Sequence, residues 1–195
     1  MTVRLCFLSG KGGVGRTSLA LAVASHLSHL SQLDQRRVLL IDQDPQGSAI
    51  AWSALADETP FTVSRSRSQG FDIEIIDTPP KLPDPSALQD ADLYIVPTAL
   101  DAVSYVVFLR TIEFLKRHEK RFIVVANRVN RLRAEHRERL GTLELAEAVI
   151  VPERAGFSRA YASGTTIHQI RGRGVAAVQF DALSIVRKIK EEVSL

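Results

Sequence analysis

Cysteine is nearly absent. The 195 residues contain only Cys6, so no disulfide framework, CxxC redox pair or intrachain thiolate cluster can be built within the chain. Cys6 lies in an apolar run and reads as a small buried hydrophobe. No apolar run reaches the ~18 residues of a membrane-spanning helix, and no secretory leader precedes the first apolar segment. A cytoplasmic location is therefore the expectation. Internal repeats, low-complexity tracts and linkers are also missing, so residues 1–195 read as one domain. Charge is close to balanced: 25 Lys and Arg against 22 Asp and Glu leave a net +3, which excludes a basic tail but not a polyanionic partner. Apolar residues make up 45%, ordinary for a globular chain with a substantial core.

What is present begins at once. The run Val3 to Leu8 leads into Ser9-Gly10-Lys11-Gly12-Gly13-Val14-Gly15-Arg16-Thr17-Ser18, and a helical pattern follows from Leu19 to Leu30. Strand, glycine-rich loop and helix in this order form a phosphate-binding P-loop. Glycines let backbone N–H groups close around a phosphate, and the helix N-terminus adds its dipole. Gly10 to Ser18 are thus the nucleotide-binding candidates, with the Thr17 hydroxyl placed to ligate Mg²⁺. The pattern expects lysine where Arg16 stands. Arginine keeps the positive charge but carries it on a planar, bulkier fork.

Further along, short β-branched strands alternate with amphipathic helices. That pattern predicts a doubly wound α/β fold, a mainly parallel sheet with helices on both faces. The strand 38–41 runs into Asp42-Gln43-Asp44-Pro45-Gln46-Gly47, and the strand 71–76 ends in Asp77-Thr78-Pro79-Pro80. Asp77 has the Walker B layout of a Mg²⁺-holding carboxylate. These strand ends, with Pro97, Asn127 and Pro152, are expected to gather at one sheet edge, where α/β folds bind ligands. Trp52 reads as a packing residue, and Asp101 as the cap of the helix that runs to Arg117. His26 and His29, three apart on one helix, read as solvated or internally satisfied. The loop Ser64-Arg65-Ser66-Arg67-Ser68-Gln69-Gly70 reads as a solvated connection, with phosphate contact as the alternative. The charged run 131–140 reads as a solvated helix face.

Lys11-Gly12-Gly13-Val14-Gly15 resembles the deviant Walker A motif of the ParA/MinD family of ATPases, and D-x-D-P-Q-G and D-T-P-P resemble that family's switch I and switch II. The resemblance implies ATP or ADP with Mg²⁺ as cofactors and a nucleotide-sandwich homodimer in which Lys11 reaches the partner's phosphates. It implies Lys11, Arg16 and Asp44 as catalytic residues, with Asp44 positioning the attacking water. Asp42 would join Thr17 and Asp77 in the metal shell, while Asn127 and Pro152 would line the adenine. It further implies slow ATP hydrolysis, non-specific DNA binding by the dimer, and a small ParB-like adaptor that stimulates hydrolysis. Such a protein partitions or positions DNA or other cargo, and in its ATP state it is nucleoid-associated. The DNA candidates are Arg154, Arg159, Arg171, Arg173, Arg187, Lys188 and Lys190. A helix-turn-helix extension like that of larger plasmid ParA proteins is not expected, and neither is operator binding.

Two alternatives stand beside that reading. Arg16 in place of lysine points to a nucleotide-binding scaffold with little hydrolysis. A MinD-like ATPase that positions on membranes is the other, although the acidic end 190–195 is poorly suited to a membrane-binding helix and no membrane partner is expected.

Overall fold

The computed structural model describes residues 2–31 and 35–195. Seven strands form one parallel sheet among the described residues: β1 (Val3–Phe7), β2 (Val38–Asp42), β3 (Thr62–Ser64), β4 (Ile73–Asp77), β5 (Leu93–Thr98), β6 (Phe122–Val129) and β7 (Val149–Pro152). Their order is β3-β2-β4-β1-β5-β6-β7. Among the described residues six α-helices accompany them: α1 (Arg16–Ser31), α2 (Ser48–Leu55), α3 (Ala102–Arg117) and α4 (Ala134–Leu140) lie between strands, and α5 (Ala155–Ala162) and α6 (Val175–Glu192) follow β7. The doubly wound reading is thus met by a fully parallel sheet.

Side chains on successive strand residues point to opposite faces, and both faces are buried. Leu5 and Phe7 of β1, Leu40 of β2 and Ile75 of β4 pack with α1, Trp52 of α2 and Ile185, Val186 and Ile189 of α6. Cys6, Leu39, Ile41, Ile76 and Val96 turn the other way onto Phe108, Ile112 and Leu115 of α3. Cys6 is 1% exposed, and burial pushes its thiol pKa far up, as expected of an inert packing residue.

α1 departs from the amphipathic pattern. Leu19 to Ser28 are all buried, polar Ser25, His26 and Ser28 included. Its outer side is covered by α5, α6 and the segment 165–170, so the helix is a central pillar rather than a surface one. His26 Nδ1 lies 3.2 Å from His168 Nε2, and His29 stacks on the His168 ring at 4.1 Å. Sequence distance hid this third histidine.

Burial, then the neighbouring His29 and His26, hold the His168 pKa down at about 4; burial, His29 and Lys190 lower that of His26. Glu58 shares the adjoining cavity and is exposed. A depressed folded pKa means the unfolded chain takes up protons first as pH falls. Stability is therefore fully present above pH ~6.5 and declines from there toward pH ~4. Denaturant midpoints at pH 7.5, 6 and 5 should fall in that order. His168→Gln should flatten the decline, and an equal slope in that variant would assign it elsewhere.

The Asp101 carboxylate accepts the Ser104 N–H at 3.0 Å and caps α3, which lowers its pKa. One helix bound differs from expectation: residues 131–133 form a turn ahead of α4 instead of its first turn.

Candidate nucleotide-binding site

Strand order places the site. β1 lies between β4 and β5, and the chain winds outward in both directions from it. The loop after β1 therefore opens at the topological switch point, flanked by the ends of β4 and β5. Asp42 and Asp77 are register partners on neighbouring strands, so their carboxylates arrive at the same level.

The glycines shape the loop. Gly13 has φ +80° and Gly15 has φ +93°, in the left-handed region that side chains rarely adopt. A Cβ on Gly13 would meet open space, whereas one on Gly15 would come within 2.1 Å of Asn127 Nδ2. Asn127 donates from that nitrogen to the Val14 carbonyl at 2.8 Å, and its Oδ1 accepts the Arg128 N–H at 2.9 Å. The amide expected to read a base thus braces the P-loop. A register shift in β6 between Ala126 and Val129, with Arg128 at φ +54°, marks the bulge from which Asn127 reaches across. Asn127, Gly15, Ser18, Pro152, Glu153 and Phe157 border a cavity of about 270 Å³, the space a base could enter.

Below the loop lies a buried electrostatic network. Arg16, the first residue of α1, is 6% exposed. Its Nε donates to Asp77 Oδ1 at 3.0 Å and its Nη2 to Asp44 Oδ2 at 2.9 Å. One planar guanidinium therefore ties the end of β4 to the loop after β2, which a single ammonium cannot do with the same geometry. Thr17 Oγ1 donates to Asp77 Oδ2 at 2.6 Å. Burial raises the Asp77 pKa to about 6; the Thr17 hydrogen bond and then the Arg16 charge pull it down, while Asp42 pushes it up. Desolvation wins, yet the group is ionised at neutral pH.

Asp42, expected in the metal shell, makes backbone contacts here. Its Oδ2 accepts the N–H groups of Ala49 and Ile50 at 2.9 and 3.0 Å, and its Oδ1 accepts the Asp44 N–H at 3.2 Å. It satisfies the start of α2, whose N-cap is Gly47 and offers no side chain. Lys11 curls over its own loop, donating from Nζ to the Gly12 carbonyl at 3.3 Å. The fit to a magnesium nucleotide is good in the glycine cradle and in the Thr17–Asp77 pair. Arg16 is the residue that has to share those carboxylates.

The basic candidates are scattered in part. Arg154 is held by the buried Asp181, with Nε to Oδ2 at 2.6 Å. Lys188 pairs with Glu191 on its own helix at 3.2 Å. Arg159 reaches the Arg173 carbonyl at 3.4 Å, so Arg159, Arg171 and Arg173 form one exposed cluster. Arg187 and Lys190 are exposed further along α6. Sequence reasoning placed Arg65 in a solvated or phosphate-contacting loop and missed its partner, the Asp44 carbonyl, which it reaches at 2.7 Å from the loop after β3. Its place one residue beyond a strand was the available signal.

Comparison with known proteins agrees with this geometry. The sequence model of the CobQ/CobB/MinD/ParA nucleotide binding domain matches residues 5–167, most of the chain. The chain belongs to this family. Its ParA/MinD-type P-loop and seven-stranded parallel sheet are those of the family fold. The chain is 31% identical over 215 residues to the maintenance of carboxysome distribution protein A of Gloeobacter kilaueensis, covering 95% of this chain and 91% of the relative. In structure it is similar to apo McdA of Cyanothece, with a TM-score of 0.75, 15% identity and coverage of 97% and 100% of the two chains. It is likewise similar to the septum site-determining protein MinD of Pyrococcus horikoshii complexed with Mg-ADP, with a TM-score of 0.70, 16% identity and full coverage of both chains. Members of the ParA/MinD family are ATPases. The P-loop of this member carries arginine where the motif expects lysine.

Proposed function

We propose that this protein is a ParA-like positioning or partition ATPase that binds MgATP, forms a sandwich homodimer, binds non-specific DNA as that dimer and is released when an adaptor stimulates hydrolysis. The observation that carries the reading is the convergence of the P-loop, Thr17 and Asp77 at one sheet edge, in a chain similar along nearly its whole length to a carboxysome-distribution protein. In this reading the amides of Gly10 to Ser18 hold the phosphates, and Thr17 and Asp77 hold Mg²⁺. Bound Mg²⁺ supplies charge neutralisation at the phosphates. Lys11 faces the second copy, Asp44 orients water, and the base enters beside Asn127 and Pro152. The DNA-bound state would be the nucleoid-associated one.

The exposed Arg159–Arg171–Arg173 cluster is the favoured DNA contact, since dimerisation doubles it and links two weak sites by avidity. Arg154 is less available because of Asp181. The test is duplex binding at low salt with ATP, ADP or no nucleotide, alongside light scattering. Expected are ATP-dependent dimers and ATP-dependent DNA binding that weakens steeply with salt. Arg171→Glu with Arg173→Glu should reduce affinity by about tenfold or more at low salt. Unchanged affinity would remove the cluster from the DNA contact, and a monomer under every condition would sink the sandwich-dimer cycle.

A second reading has its own observation. The double ion pair of Arg16 ties down both carboxylates that a working site needs free. It favours a scaffold that binds nucleotide and turns it over very slowly. The membrane alternative has less support, since Val178, Ala182, Ile185, Val186 and Ile189 of α6 are buried in the core.

A further inference from the structure

We propose that Arg65 is a positioning residue: it latches the loop that carries Asp44, and so governs turnover rather than nucleotide affinity. The inference rests on the ATPase reading for its effect on turnover, but the latch itself does not.

The latch follows from strand register. β3 is the edge strand beside β2, with Ser64 opposite Ile41. Residue 65 therefore leaves the sheet alongside Asp42, next to the loop 43–47. From there the Arg65 guanidinium donates through Nη1 to the Asp44 carbonyl at 2.7 Å, a short charge-assisted bond. The same carbonyl accepts the Gly47 N–H at 2.9 Å, closing the turn from Asp44 to Gly47. Both acceptor directions of that oxygen are thus in use.

Gly47 shows how closely the guanidinium lies on the turn. Its φ is +66°, and a Cβ there would come within 2.3 Å of Arg65 Nη2. The backbone angle favours glycine at this place, and a side chain there would push the guanidinium off the turn. The Asp44 side chain completes the arrangement: Oδ1 accepts the Gln46 N–H at 3.0 Å and Oδ2 accepts Arg16 Nη2 at 2.9 Å. One arginine holds the backbone of Asp44 and another holds its carboxylate. The first comes from an exposed loop, so it can release without disturbing the core.

Arg67 provides an internal comparison. It has the same charge two residues on, but it pairs with Glu74 and with the Asp90 carbonyl, away from this loop. Loss of charge alone should therefore be mimicked by Arg67→Ala, and loss of the latch only by Arg65→Ala.

The experiment is hydrogen exchange of the segment 44–50 in the nucleotide-free protein, with ADP affinity and steady-state ATP turnover measured on the same samples. Arg65→Ala should speed exchange at Gln46 and Gly47 by about tenfold, Arg67→Ala should not, and Arg65→Lys should recover part of the protection. Turnover should fall by about tenfold in Arg65→Ala while ADP affinity stays within about twofold. Unchanged exchange in Arg65→Ala overturns the latch whatever the nucleotide results. Faster exchange with ADP affinity lost in step overturns the assignment to turnover. Faster exchange in a protein whose parent binds no nucleotide keeps the latch and rejects the ATPase reading instead.

Discussion

Arg16→Ala is expected to destabilise the fold by about 3–5 kcal/mol, because it leaves the buried Asp44 and Asp77 carboxylates without their shared cation. Asp77 is fully buried and Asp44 is 4% exposed, so bulk solvent screens neither charge once the guanidinium is gone. Asp77 would respond by taking up a proton, since burial already raises its pKa to about 6. Chemical denaturation at pH 7.5 against pH 5.5 reads this directly. The variant should be least stable relative to its parent at the higher pH, where the unpaired carboxylates are charged. An equal deficit at both would mean the loss is one of packing.

Arg16→Lys separates stability from function. A lysine at the start of α1 keeps one positive charge but cannot donate to both carboxylates from one planar fork. Some stability should be lost, and the carboxylates become freer for Mg²⁺. In the working-ATPase reading, turnover should then rise by about tenfold or more, because the ammonium can follow the phosphates as a point charge. Turnover that appears only in Arg16→Lys would identify the parent chain as a nucleotide-binding scaffold. Equal turnover in both would mean Arg16 leaves Asp77 readily when nucleotide arrives.

Trp52→Ala is the second large effect, expected at about 3–5 kcal/mol. Trp52 is 2% exposed and stacks on Phe61 with ring centroids 5.5 Å apart. Its Nε1 donates to the Thr165 carbonyl at 3.3 Å, so truncation leaves a cavity and removes that half-buried acceptor's partner. The indole joins α2 to the segment after α5, and Tyr161 adds a second tie through its hydroxyl to the Ser48 carbonyl at 3.1 Å. α2 starts immediately after the Asp44–Gly47 turn. The variant should therefore lose protection in residues 44–50 as well as global stability. Loss of global stability with that segment unaffected would show that the turn is held by Asp42 and Arg65 alone.

The P-loop was legible because its chemistry is contiguous. Glycines, the helix start and Thr17 all lie within ten residues, and each owes its role to local backbone geometry. Asp77 and Asp44 were legible for a related reason: each follows a buried apolar strand, and parallel strands deliver their ends to one edge. Asp101 could be read as a cap from its position alone. What these residues touch could not be read in the same way. Arg16 was recognisable as a departure from the motif, but nothing near it in sequence announces that its fork spans two carboxylates 28 and 61 residues away. Asp42 resembled a metal-shell residue, yet the N-cap of α2 is a glycine without a side chain, so the strand-end carboxylate takes over the capping. Asn127 turned inward because a bulge in β6 aims it at the Val14 carbonyl.

By itself, then, the sequence determined the element types, the parallel α/β class, the phosphate-binding loop and the edge at which carboxylates assemble. Those properties depend on backbone propensity, period-two burial and residues close together in the chain. The tertiary structure alone decided that α1 is buried on all sides, that His168 completes a histidine stack, that Arg154 is taken by Asp181 and that two arginines hold Asp44. Each of these is a pairing between distant segments, and it depends on strand order and on which helix covers which face. A local pattern cannot encode that choice, because the same arginine or histidine satisfies its local environment equally well with solvent as its partner.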